Sequence, residues 1–418
     1  MRGIVRVPGD RAATQLALLL ASLATGETVL EHVATGTDIA ALIRLLGQLG
    51  IGVALSGTTA RISGLGIGGF LTPDGPLDFS DVGEASALLI GLLSAHDFVS
   101  TITGFAATQL SEALLAFLSR SGTAIERSGT DLKIRPPRFS IPLDLALPEG
   151  ALVLKQPLLL HALATVGTSV FHLPPSPDDA LEAVLTAFGA HLRSEPTDDG
   201  IKLSIDGLAP LTAATYVVAG DPMLAAYVAV AAIIAPDSEI TIEAMSLSPS
   251  RMALLDALRE FGAKLRFEPA KDGRRDATDL VVEHVKLTGL ALRANAAIEQ
   301  DDFAILAVAA SYARGDTLLA GLGNGYRRLA LSRALRANGV ECEEREAGLL
   351  IHGMNRVPGG GKVTAKADPK LAMAFTVLGM GADKPVTVDD QAPILDMFPG
   401  LLPQLEHLGA GIAMGKPK

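Results

Sequence analysis

The sequence predicts an α/β protein of six βαβαββ repeats, folded as two lobes of three repeats each. Three observations carry this. A helix-closing glycine recurs at Gly50, Gly122, Gly189, Gly262, Gly339 and Gly409, spaced 67 to 77 residues apart. Each stands where an amphipathic helix must stop, and the left-handed backbone that ends a helix costs glycine nothing. An almost wholly apolar helix opens each repeat, over residues 14–24, 85–93, 157–166, 224–234, 303–312 and 371–379. Six such units cannot form one sheet with both faces buried. Two groups of three, with the apolar helices central and the sheets outside, solve the packing problem. The break falls near Ala219-Gly220-Asp221, so residues 1–11 with 220–418 are expected in one lobe and 12–219 in the other.

The first repeat shows the periods. Residues 4–7 alternate as a strand, and residues 14–24 form a helix too apolar to face water. Residues 28–32 read as a strand. Asp38 is placed to cap a helix whose apolar positions, Ile39, Leu42, Ile43, Leu45, Leu46 and Leu49, follow an i, i+3, i+4 stripe. Strands at 52–55 and 60–63 close the repeat.

Composition narrows the function. The 418 residues are 49% hydrophobic and 19% charged, which supports large cores and excludes wholesale disorder. Net charge is −11 and there is no basic stripe, which argues against nucleic-acid binding. The single cysteine, Cys342, excludes a disulfide framework and a cysteine zinc site. The longest apolar run, residues 16–24, is too short to span a membrane. It looks somewhat like a signal sequence, but the same kind of segment recurs five more times, so a cytoplasmic protein is expected. No metal or organic cofactor is expected. The eight histidines show no ligand spacing, Gly64-Leu65-Gly66-Ile67-Gly68-Gly69 has no helix after it, and Gly359-Gly360-Gly361-Lys362 lacks phosphate-loop spacing.

Several blocks resemble a known family. They are Val5-Arg6-Val7-Pro8-Gly9-Asp10 with the apolar helix behind it, Pro76-Leu77-Asp78-Phe79, Gly220-Asp221-Pro222, the segment from Asp301-Asp302-Phe303 to Ala310, Asn338-Gly339-Val340-Glu341-Cys342, and Pro385-Val386-Thr387-Val388-Asp389-Asp390 with Phe398-Pro399. End to end the chain is similar to the enolpyruvyl transferases, closest to 5-enolpyruvylshikimate-3-phosphate (EPSP) synthases. The last four blocks are most similar to the glyphosate-tolerant bacterial class. The resemblance implies a two-lobed inside-out α/β barrel that closes over shikimate 3-phosphate and phosphoenolpyruvate, in aromatic amino acid biosynthesis. Both substrates are anions, which such a site grips with Lys, Arg and helix N-termini. A carboxylate and a lysine move the protons.

Matched loop by loop, the chain departs from that pattern. Gly9-Asp10-Arg11-Ala12 stands for the family's Gly-Asp-Lys-Ser, and Leu16 replaces a following Arg. Ser80-Asp81-Val82-Gly83-Glu84 stands for Gly-Asn-Ala-Gly-Thr, keeping Gly83 but placing two acids there, with Ala87 at the next Arg position. The segment from Gly104 to Glu112 carries no cation. Gln156 is kept beside a new Lys155, and Pro177-Asp178-Asp179 stands for Thr-Arg-Asp. Asp301 matches the catalytic Asp. The Lys-Glu-Ser-Asp-Arg loop has no counterpart, Arg327 or Arg328 leaning toward its place. Lys370 replaces an Arg, and Asp396 lies near another phosphoenolpyruvate-binding position.

The resemblance thus assigns Asp301 as catalytic and Arg11, Gly83, Gln156, Arg327 and Lys370 as substrate-binding. With so many cations replaced, three expectations stand side by side. One is a working synthase with an unusual site. Another is a transferase acting on a less anionic ligand, which Asp81, Glu84 and Asp178 would suit. The last is a non-catalytic homologue serving a protein partner, its cleft filled by Leu16, Phe105, Leu110 and Leu154. Capping is an equal alternative for Asp301, because Asp10, Asp221 and Asp368 stand at equivalent positions. A hinge role stands beside binding for Arg11, a helix cap for Gln156, and a solvated first-turn side chain for Lys370.

Overall fold

A computed structural model describes the chain except residues 107, 176–179, 249–251, 275, 294–297, 299–301, 323–324, 367 and 414–418. Asp301, Asp178 and Asp179, and the Gly323-Asn324 part of the shortened loop, therefore lie outside the described residues. The chain divides into two compact units, Met1–Pro8 with Ala219–Lys418, and Gly9–Val218.

Among its described residues the Gly9–Val218 unit holds six α-helices: α1 (Arg11–Leu23), α2 (Thr37–Gln48), α3 (Ala85–Leu93), α4 (Gln109–Ser119), α5 (Lys155–Leu163) and α6 (Ala180–Ala187). Three sheets share one plan: a short strand lies parallel to a longer one, which pairs antiparallel with the far arm of a hairpin. Helices α1, α3 and α5 are buried in one continuous core. Their closeness depends on Gly91, where a Cβ would fall 2.1 Å from the Pro157 carbonyl oxygen, so α3 and α5 touch backbone to backbone.

The second unit repeats the plan with α7 (Pro222–Ile234), α8 (Ala253–Glu260), α9 (Phe303–Ser311), α10 (Tyr326–Ala337), α11 (Pro369–Leu378), α12 (Ala392–Met397) and α13 (Leu401–His407). Helices α7, α9 and α11 form its centre and are almost entirely Ala, Val, Ile, Leu and Phe. All six closing glycines take positive φ, between 79° and 98°. Asp10, Asp221 and Asp368 cap α1, α7 and α11 through backbone N–H groups of Ala13, Met223 and Leu371.

Three local expectations are corrected. The first strand spans Arg2–Val5 instead of residues 4–7, and it is not the opening strand of the repeat that holds α1; it lies parallel to Glu239–Ser246, Arg2 opposite Glu239 and Val5 opposite Ile242. The matching place beside Ala24–Glu31 is filled by Leu211–Thr212 and Thr215–Val217. Alternating side chains declare a segment extended; they do not name its neighbour. In the sixth repeat the strands Lys362–Val363 and Thr387–Val388 pair, extended by a bridge between Gly359 and Lys384, and α12 and α13 follow instead of a hairpin among the described residues. Asp38 is not a cap. Gly36 holds that position without a side-chain bond, and Asp38 sits inside the first turn of α2.

Candidate functional site

In the Gly9–Val218 unit two predicted residues, Arg11 and Gly83, lie where α1, α2 and the turn before α3 begin. Asp10 caps α1, and Thr14 ties the next loop in, donating to Asp10 O at 2.8 Å and accepting from Ala34 N–H at 2.9 Å. This fixes Arg11 on the first turn of α1, facing Asp38 on the first turn of α2. The Arg11 guanidinium is ion-paired with Asp38 Oδ1, and its other amino group reaches Thr35 O at 3.4 Å. Gln15, one turn further along α1, donates through Nε2 to Asp38 Oδ2 at 2.9 Å. Gln15 is 1% exposed, and its Oε1 is buried with no hydrogen-bond partner. Burial pushes the Asp38 carboxyl above its ordinary range, against the opposing pull of Arg11. Gly83, at φ +60°, turns the chain beside this cluster; a Cβ there would lie 3.9 Å from that of Asp38.

Gln156 is half-buried on the first turn of α5. Its neighbour Lys155 is 6% exposed, with Nζ 3.8 Å from Glu182 Oε1 on the first turn of α6. The first and third repeats thus share one device: a cation at the start of the apolar helix faces an acid in the first turn of the second helix. Leu16, Phe105 and Leu154 are buried in this unit's own core, whereas Leu110 is 40% exposed.

In the other unit Lys370, on the first turn of α11, donates to Asp302 Oδ1 at 2.7 Å, with side-chain exposures of 16% and 10%. Asp302 occupies the N-cap position of α9 yet makes no capping bond. The solvated first-turn alternative for Lys370 is therefore corrected: a core helix supplies it with a carboxylate. Arg327 is exposed on the first turn of α10. No group of three or more His, Cys, Asp or Glu suited to a metal ion occurs among the described residues. No helix among them is long and apolar enough to cross a membrane.

The profile of the family described as EPSP synthase (3-phosphoshikimate 1-carboxyvinyltransferase) matches residues 1–405. The chain belongs to the EPSP synthase family. A 3-phosphoshikimate 1-carboxyvinyltransferase from Brucella abortus (strain S19) is 33% identical over 428 residues, covering 99% of this chain and 95% of the relative. One from Mesorhizobium japonicum is 33% identical over 434 residues, covering 99% and 96%. Among solved structures, EPSP synthase from Acinetobacter baumannii shares the fold with a TM-score of 0.82 at 24% identity, covering 99% of this chain and 97% of that one. The enolpyruvyl transferase NikO from Streptomyces tendae follows at 0.77 and 17% identity, covering 100% and 97%.

Sequence reading missed the three carboxylates that engage Arg11, Lys155 and Lys370: Asp38, Glu182 and Asp302. Asp38 and Glu182 are first-turn acids, the ordinary complement of a helix N-terminus, so nothing in the local pattern marks them as partners of a distant cation. Asp302 had a signal, a doubled acid ahead of a buried helix, of which only one can cap.

Proposed function

We propose that this member of the EPSP synthase family does not transfer the enolpyruvyl group to shikimate 3-phosphate, and that its site takes a neutral or cationic, hydroxyl-bearing ligand. In the Gly9–Val218 unit we assign Arg11, Gly83 and Gln156 to ligand binding; in the other unit, considered by itself, we assign Arg327 and Lys370, with Asp301 the position that matches the family's catalytic Asp. One observation carries the reading. Arg11, Lys155 and Lys370 are each engaged by a carboxylate of this chain, Asp38, Glu182 and Asp302 respectively. An incoming phosphate beside any of these pairs meets a net charge near zero. At an effective dielectric of about 20, a unit charge 4 Å from Arg11 gains about 4 kcal/mol, and a carboxylate at similar distance removes nearly as much. The loss of one preorganised donor alone commonly costs about 10²–10³ in rate. A hydroxyl-bearing ligand has no such conflict.

The test is phosphate release from phosphoenolpyruvate with shikimate 3-phosphate, run beside melting curves with both compounds. The expected result is no release above background and no joint stabilisation. Turnover at the rate of an ordinary synthase, with the pair raising the melting temperature, refutes the proposal.

A further inference from the structure

We propose that the second unit carries a separate binding groove for a small, elongated polyanion, a molecule with phosphates in a row. The groove, about 370 Å³, lies between α10 and the segment 362–366, which opens with the strand Lys362–Val363 and ends in a turn at Lys366. That volume falls in the range of small-molecule sites. Its walls follow from two periods. On α10, Tyr326, Ala330, Arg333 and Ala337 are spaced by four, three and four, one helical face. Opposite, Lys362, Thr364 and Lys366 are exposed while Val363 and Ala365 are buried, the alternation of a strand edge.

The segment runs antiparallel to the helix. At one end Lys366 Nζ lies 5.0 Å over the Tyr326 ring. At the other, Gly361 packs on the Ala337 carbonyl, and its N–H donates to Asn338 Oδ1 at 3.0 Å. Tyr326, beside Lys366, and Ala337, beside Gly361, are separated by about 16 Å of helix axis, with Arg333 between them. A compact anion cannot meet both ends, whereas a linear one can.

Charge decides the chemistry. The chain is acidic overall, at −11, and several cations of this unit, Arg266, Lys271 and Arg345 among them, are paired with carboxylates. On α10 itself, Arg328 and Arg336 both approach Glu344. No acid lines the groove, and Arg333, Lys362 and Lys366 have no carboxylate partner among the described residues. Three unpaired cations above a floor of Leu329, Ala334 and Val363 make a local positive field in a negative protein. This inference does not depend on the ligand proposed above, because Lys370 is engaged by Asp302 and does not line the groove.

The experiment is calorimetric titration of the full chain with tripolyphosphate and with orthophosphate, at constant ionic strength. One tripolyphosphate per chain is expected, with orthophosphate far weaker. Arg333→Glu and Lys362→Glu should each weaken binding about tenfold or more, while Lys264→Glu, an equal charge change at an exposed lysine off the groove, should alter it less than about twofold. Melting curves and the neutral change Arg333→Gln guard against misfolding. Equal losses in Lys264→Glu and the groove variants overturn the proposal. So does tripolyphosphate binding that is unsaturable or no tighter than orthophosphate.

Discussion

Replacing Asp38 with Asn tests the charge-balanced site directly. The side chain keeps its shape and an oxygen for Gln15 or Arg11, but loses its charge. Arg11 and Asp38 are 26% and 14% exposed, so solvent screens the pair in part. An anion bound about 5 Å from Asp38 suffers about 3 kcal/mol of repulsion at an effective dielectric of about 20. Discounted for screening, about 1 to 2 kcal/mol should be recovered, or about five- to thirtyfold tighter orthophosphate binding. The measurement is titration calorimetry at low salt in an Arg333→Glu background, which silences the groove on α10. Melting temperature should fall, because the variant gives up a half-buried ion pair. Unchanged or weaker phosphate affinity in a folded variant would show that Asp38 does not guard an anion site.

Further outcomes follow from the packing. His161 is fully buried, accepts from or donates to Ser94 at 2.8 Å, and is held down to about 4 by burial. Its folded form prefers the neutral ring while the unfolded chain takes up a proton near 6.5. Stability is therefore complete above pH 6.5 and should decline by about 3 kcal/mol as the pH falls from 6.5 to 4, flattening in His161→Gln as followed by urea unfolding. Gly91→Ala should cost about 1–3 kcal/mol or more, since the added methyl meets the Pro157 carbonyl and α3 must move off α5; denaturant midpoints measure it. Lys370→Met removes the cation that donates to the Asp302 carboxylate, a pair only 16% and 10% exposed, and should cost about 3 kcal/mol. Adding Asp302→Asn should restore most of it, and additive losses in the double variant would mean the two residues act independently.

The repeat was legible because it is written twice over. Apolar helices such as 85–93 and terminating glycines such as Gly262 are each local patterns, and local patterns are what a sequence exposes. Partners across sequence distance were not. Residues 4–7 read as a strand and residues 1–11 group with 220–418, yet nothing in them names Glu239–Ser246 as the neighbouring strand. Arg11 and Lys370 were recognised as the surviving cations, but Asp38 and Asp302 are 27 and 68 positions away and look like helix-end acids. A charge pair is a property of two segments brought together, so only the fold could pair them. The groove on α10 was missed for the same reason: Arg333 and Lys362 are ordinary surface residues until helix and strand edge face each other.

The pairing of Arg2–Val5 with Glu239–Ser246 makes the 210-residue stretch between Pro8 and Ala219 a guest inserted into a host. The host's two cut ends meet, the Asp221 N–H donating to Pro8 O at 2.9 Å, and the guest's ends meet as well, a Cβ on Gly9 falling 3.1 Å from Val218. On the ribosome the guest can close while the host's leading strand waits for its neighbour to be made. A nascent chain halted near residue 218 should carry one finished body and eight unemployed residues, and excising the guest should leave a gap that a short loop can bridge.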